Sequence, residues 1–182
     1  MYCKRGKVDA AQKLFYEMPR KGIKHEIVTY NTMLDGLDRA GKIINARRVL
    51  DEMNRIGIAP DTITYHTILD GLCKNQCMDE ALDLFEVLLS QEHKLEVTLF
   101  NILIDGMFKT GKTQVAKDTF NVILSKQLVP VVVTYTIMMR GLVKEGLMDE
   151  VDDVFVDGEI WMSIKFYYAQ CSCPKFAQER RN

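Results

Sequence analysis

The stretch best spelled for chemistry is Gly106 to Thr113, GMFKTGKT, which satisfies G-x-x-x-x-G-K-T, the pattern of a loop whose backbone N–H groups and lysine hold nucleotide phosphates. Such a loop needs a strand before it and a helix opening at its lysine. Here Phe100 to Met107 carries a helical apolar stripe, and both glycines recur elsewhere without the lysine and threonine, so nucleotide binding is not expected. The cysteines are next: Cys171 and Cys173 form a lone C-x-C, Cys77 stands in a turn, and Cys3 and Cys73 share a recurring position suited to a small buried side chain. With His25, His66 and His93 scattered, no second ligand pair has metal-binding spacing. No nucleophile, base and orienting group are arranged to act together. The sequence reads as a binder, with no enzyme activity, metal or cofactor expected.

A series of cations is the stronger candidate. Lys4, Arg39, Lys74, Lys109 and Lys144 recur in a strict register of 35 residues. Near the end of a helix a cation offsets the negative pole of the helix dipole. Along a groove, the same five would meet the phosphates of a single strand and give a salt slope of about −3.5. The sequence leaves both readings open.

The elements that must position these side chains share the same period. Residues 27–61, 62–96 and 97–131 are three copies of one unit; 132–157 is a partial fourth, and 1–26 fits the second two-thirds of a copy. In the first half of each unit, apolar residues fall at i, i+3, i+4 and i+7, as in Tyr30, Met33, Leu34, Leu37 and Tyr65, Ile68, Leu69, Leu72. That spacing paints one stripe along a helix. The second half carries another stripe, Ile43, Ala46, Val49, Leu50, Met53, echoed by Met78, Ala81, Leu84, Phe85, Leu88. Glycines such as Gly36 and Gly41 bracket the turn between them, and Gly57 with Pro60, or Pro130, ends the second helix. One hairpin cannot bury both stripes, so hairpins must stack on their neighbours. The expected fold is an all-α solenoid of helix-turn-helix hairpins with a 35-residue repeat.

At VTYNTMLDGL, ITYHTILDGLCK and VTYTIMMRGLVKEG, each followed by a second helix with Ala and then Leu/Val-Phe/Leu, the chain resembles the pentatricopeptide repeat (PPR) proteins of plant organelles, most of all the fertility-restorer-like subgroup of the P class. The resemblance covers residues 1 to about 156. It implies a single-stranded RNA-binding module of mitochondria or plastids, acting in RNA processing or stabilisation and reading one base per unit through the fifth and last residues. These are Asn31 with Asp61, His66 with Glu96, Asn101 with Val131, and Thr136, whose partner position holds Phe166. The second residues, Val28, Ile63, Thr98 and Val133, would pack the base faces. The fifth residues stand about 100° round the helix from the aromatic of the stripe, hence off the core face and open to a ligand. Asn31 with Asp61 matches the family pair for U; Asn101 is of pyrimidine type and Thr136 of purine type, while His66 with Glu96 fits no common pair. Without the resemblance, Asp61 would read as a helix N-cap and Asn31 as a first-turn polar residue.

Composition tempers the RNA reading. Lys and Arg number 24 against 25 Asp and Glu, a net charge of −1, where nucleic-acid binders draw on an excess of cations. A protein partner lying in the same groove is therefore the competing reading, and a truncated, inactive remnant the third. No apolar run approaches the roughly 18 residues of a membrane span. Residues 1–26 already belong to a unit, so no transit peptide is read in this chain. The pattern stops after Phe155, and residues 158–182, with Trp161, Phe166, Tyr167 and Tyr168, make a poor cap for a solenoid. That tail is expected to be foreign to the repeat and loosely packed.

Overall fold

A computed structural model of the chain describes residues 8–90 and 96–154. Everything regular in them is helical: α1 (Val8–Glu17), a short 3-10 turn (Pro19–Lys21), α2 (Ile27–Arg39), α3 (Ile43–Arg55), α4 (Thr62–Lys74), α5 (Met78–Ser90), α6 (Val97–Lys109), α7 (Thr113–Ser125), α8 (Val132–Glu145) and α9 (Asp149–Val154). The first helices begin at residues 27, 62, 97 and 132, one period apart. Residues 1–7 and the tail from 155 onward, with Lys4, Cys3, Phe166, Cys171 and Cys173, lie outside the described residues, as does His93.

The stripes of α2 and α6 are buried as their spacing requires, whereas Tyr65 and Ile68 on α4, and Ile43, Leu50 and Leu84 on the second helices, are only half-buried. Tyr30, Met33, Leu34 and Leu37 are buried on α2, as are Phe100, Leu103, Ile104 and Met107 on α6. From the second helices, Phe15, Phe85 and Phe120 each meet the first aromatic of the following unit edge-on: Tyr30 at 5.2 Å, Phe100 at 4.9 Å and Tyr135 at 5.9 Å between ring centres. Such edge-to-face pairs contribute about 0.5–1.5 kcal/mol beyond the area they bury. The joint between α3 and α4 has Leu50 at that position, and beside Leu50 a cavity of about 320 Å³ opens among Ile43, Ile68, Leu72 and Leu84. His25 is also structural. Its ring stacks on Phe15 at 4.0 Å, and its Nε2 donates to the Phe15 carbonyl at 2.8 Å.

Successive first helices lie directly against one another, α2 on α4, α4 on α6, α6 on α8, whereas α3, α5 and α7 have no close backbone contact with each other. The closely spaced first helices form the inner layer of the stack. Glycine sets that spacing. A Cβ on Gly71 would stand 1.9 Å from Asp38 Oδ1, one on Gly106 2.7 Å from Cys73 Sγ, and one on Gly141 2.3 Å from the Phe108 ring. Each side chain fills a socket that only a bare Cα can offer. The expectation of a small buried residue at the position of Cys73 is therefore too narrow: the same position holds Asp38 and Phe108, and the facing glycine supplies the room. Outside, side chains bridge the second helices, as in Lys112–Asp79 at 2.8 Å and Lys117–Glu150 at 2.7 Å.

Candidate nucleic-acid interface

The inner layer presents the first turns of α2, α4, α6 and α8 side by side, so the second and fifth residues of each unit line one face. Val28, Ile63 and Val133 are 68%, 62% and 57% exposed. Three aliphatic side chains left in water at one repeat position have no core role. Thr98 is exposed in the same register, and its hydroxyl is 2.9 Å from His66 Nε2 and donates to Glu96 Oε2 at 3.4 Å. His66 and Glu96 are thus linked through Thr98.

Asn31 and Asp61 meet directly. The Asn31 Nδ2 donates to Asp61 Oδ1 at 3.1 Å, and the Thr64 hydroxyl donates to Asn31 Oδ1 at 2.6 Å. Asp61 is at once an N-cap and a partner of Asn31. Its Oδ1 accepts the Thr64 N–H at 2.8 Å, while the Asp61 N–H donates back to Thr64 Oγ1 at 3.2 Å. Burial pushes the Asp61 carboxyl up, but hydrogen bonds from Thr64 and from the Asn31 amide outweigh it and hold the group below the usual carboxylate range. The N-cap of α4 and the Asn31–Asp61 contact are parts of one network.

Asn101 corrects the expectation that every fifth residue is open. It is 6% exposed, and its Oδ1 has no hydrogen-bond partner. On its own helix it does turn away from the core stripe, but α8 of the next unit leans over it. Val131 has no polar side-chain atom to meet it. Asn101 instead lines a cavity of about 730 Å³ between α4, α6 and α8, with Ile102, Val133 and Thr136. Thr136 is half-buried there, its hydroxyl donating to the Val132 carbonyl at 2.7 Å.

The cation series has a structural partner that the sequence reading passed over. Arg39 Nε reaches Asp35 Oδ1 at 2.9 Å, Lys74 pairs with Asp70, and Lys109 with Asp105, each one helical turn apart. The signal was visible as Asp four residues before a cation. Lys144 has no such acid, because Arg140 occupies the place of Asp35, Asp70 and Asp105.

Models of the PPR repeat family match residues 1–37, 25–74 and 95–144, and the related PPR repeat model matches 63–92 and 133–157. The chain belongs to the PPR repeat family. Among solved structures it is similar to PPR10 in complex with an 18-nt psaJ RNA element, at a TM-score of 0.79 and 24% identity, over 98% of this chain and 26% of that one. PPR10 from maize gives 0.74 and 23%, over 99% and 27%. The PPR domain of Arabidopsis thaliana protein-only RNase P 1 in complex with tRNA gives 0.68 and 15%, over 93% and 94%. The chain thus spans about a quarter of the length of the PPR10 structures. No curated protein matches it.

The PPR fold also accounts for the motifs that promised other chemistry. Gly106 lies mid-helix in α6, facing Cys73 and Met78, and Gly111 sits in the turn at φ 74°, so the phosphate-loop spelling falls on a helical hairpin. Burial pushes the Cys73 thiol up to about 12, well away from a reactive thiolate. Among the described residues no group of three His, Cys, Asp or Glu could hold a metal ion, and no helix is long and apolar enough to cross a membrane.

Proposed function

We propose that the face formed by α2, α4, α6 and α8 binds single-stranded RNA, one base per unit, with organellar RNA the target class that the family resemblance suggests. The Asn31–Asp61–Thr64 network carries this reading. Thr64 takes the amide oxygen and Asp61 takes one amide hydrogen, so the plane of the carboxamide is fixed. The Asn31 amide and the Thr64 N–H both bond Asp61 Oδ1, which leaves Oδ2 as an acceptor beside the second Nδ2 hydrogen as a donor, as the edge of a pyrimidine requires. The exposed Val28 and Ile63 stand ready to pack the two base faces. PPR10 and the RNase P domain, whose fold this chain shares, were both solved with RNA bound.

The units differ in what they read. Asn31 with Asp61 takes U. Asn101, whose partner position holds Val131 and whose Oδ1 has no hydrogen-bond partner, accepts U and C alike; Thr136 takes a purine, and His66, held by Thr98, has no assigned base. From the 5′ side the strand is U, unassigned, pyrimidine, purine.

Fluorescence anisotropy at low salt tests this with short RNAs that differ at the first of these bases. The expected preference for U over C or a purine is roughly tenfold, the yield of about one net hydrogen bond, and it disappears in Asn31→Ala. Asp61→Ser keeps a capping oxygen but shortens the reach to Asn31, so it should fold normally and lose the preference. Equal binding of all four bases by the native chain refutes base reading, and a folded chain that binds no RNA turns the face over to a protein partner.

A further inference from the structure

Building on the RNA reading, we propose that Arg140, a residue outside the cation series seen in the sequence, is the main phosphate anchor of this chain. The anchor is shared with Lys144 and oriented by Asp105. Charge neutralisation decides where along the inner face a phosphate can be held. On the rungs of α2 and α4 each cation is matched by the aspartate one turn before it, Arg39 by Asp35 and Lys74 by Asp70. A phosphate arriving there must compete with a carboxylate already in place, so these rungs offer no net attraction.

The fourth rung reverses this pattern. Arg140 stands where its sister units have aspartate, and it reaches back across the joint to Asp105, which also holds Lys109. Lys144, one turn further along α8, has no ion pair among the described residues. One carboxylate thus pairs with two cations, Lys109 and Arg140, while Lys144 adds a third charge that no acid among the described residues offsets. Arg140 is 59% exposed along its side chain while Asp105 is 24% exposed, so the guanidinium is held at its inner edge and keeps its outer donors for a ligand. A guanidinium fork suits the paired oxygens of a phosphodiester better than an ammonium does.

The same residues border the larger cavity. Arg140, Lys109 and Asp105 form one rim, and the buried, unpartnered Asn101 Oδ1 lies within it. At about 730 Å³ the cavity falls within the roughly 300–1,000 Å³ range of small-ligand pockets. An orphaned polar atom inside and uncompensated positive charge at the mouth are the two halves of a nucleotide site, base within and phosphate at the rim. The joint of α6 and α8 therefore carries most of the affinity, although Asn31 and Asp61 carry the clearest base reading.

Arg140→Asp tests the anchor without threatening the fold, because it recreates the rung of the sister units and gives Lys144 an acid one turn away. RNA affinity at low salt should fall about tenfold or more. The slope of log affinity against log salt should flatten by about 0.7 for each phosphate that is no longer neutralised. Arg39→Ala, on a neutralised rung, should change affinity less than about twofold. Equal losses in the two variants overturn the anchor and leave the RNA reading in place. If the folded native chain binds no RNA, the RNA reading fails, and inorganic tripolyphosphate, followed by NMR shifts, decides the anchor separately. Shifts confined to the amides around Arg140 and Lys144 support it; shifts spread over all rungs, or none, overturn it.

Discussion

The electrostatic load in the stack is concentrated at Asp38. Its carboxylate is 8% exposed, fills the socket over Gly71, and leaves Oδ1 without a partner. Burial first, then the charge of Asp70, raises its pKa from 3.8 to about 6; Asp35 adds to this, while Lys74 and Arg39 oppose it. A folded pKa above the unfolded one means that ionisation costs stability. The cost is small below about pH 4, grows as pH rises to about 6 and is complete above that. At roughly 1.36 kcal/mol per pH unit, the penalty at pH 7.5 is about 3 kcal/mol, and most of it is gone at pH 4. Asp38→Cys installs the residue that fills the next socket, where burial keeps the Cys73 thiol neutral. Urea unfolding followed by circular dichroism, under reducing conditions, should show a gain of about 1–3 kcal/mol at pH 7.5 that nearly vanishes at pH 4. The other carboxylates are present in both chains, so the pH-dependent part of the difference reports Asp38 together with its coupling to Asp70 and Asp35. A gain of equal size at both pH values would mean that packing, and not charge, is the cause; a loss at pH 7.5 would refute the reasoning outright.

Two further changes test the same joints. Leu50→Phe restores the ring found at Phe15, Phe85 and Phe120 and fills part of the cavity of about 320 Å³, so thermal unfolding should report a gain of about 0.5–2 kcal/mol; destabilisation would show that Leu50 already packs to capacity. Gln76 holds φ 62° at the turn position where Gly41, Gly111 and Gly146 hold 67°, 74° and 80°. Relief of left-handed strain, offset by the greater unfolded freedom of glycine, predicts that Gln76→Gly stabilises by about 0.5–1 kcal/mol, and no change in the urea midpoint would sink the claim of strain.

What the sequence made legible was whatever repeats along one helix. Stripes such as Tyr30, Met33, Leu34 and Leu37 fix a helix and its buried side before any neighbour is known, and α2 and α4 begin where the period placed them. What it hid depends on the next helix. Asn101 turns away from its own core stripe yet is buried, because the covering surface belongs to α8, one unit on. Likewise Asp38, Cys73 and Phe108 look unrelated until Gly71, Gly106 and Gly141 are seen facing them. A pairing of socket glycine with the residue 33 positions before it is a signal that the sequence contains, but that a search along single helices cannot weigh.

Net charge is the clearest case of a sequence quantity that averages away what matters. A balance of 24 cations against 25 acids argues against binding a polyanion only if the charges act as a cloud. Here many of them are committed in pairs: Arg39 and Lys74 to acids on their own helices, Lys112 and Lys117 to acids on a neighbouring helix. Exposed pairs of this kind are worth about 0–1 kcal/mol each to stability, but each removes a cation from the field that a distant phosphate would feel. What remains for a ligand is local. On the inner face it collects at one joint, because a single aspartate has become Arg140. Reversing one rung of an otherwise neutral ladder adds a cation at the cavity and leaves Lys144 without its acid, a swing of two charges at this joint for a change of a single residue. A neutral repeat array can therefore hold a strand at one point and read it at others, and its affinity should track the charge at that joint far more closely than the net charge of the chain.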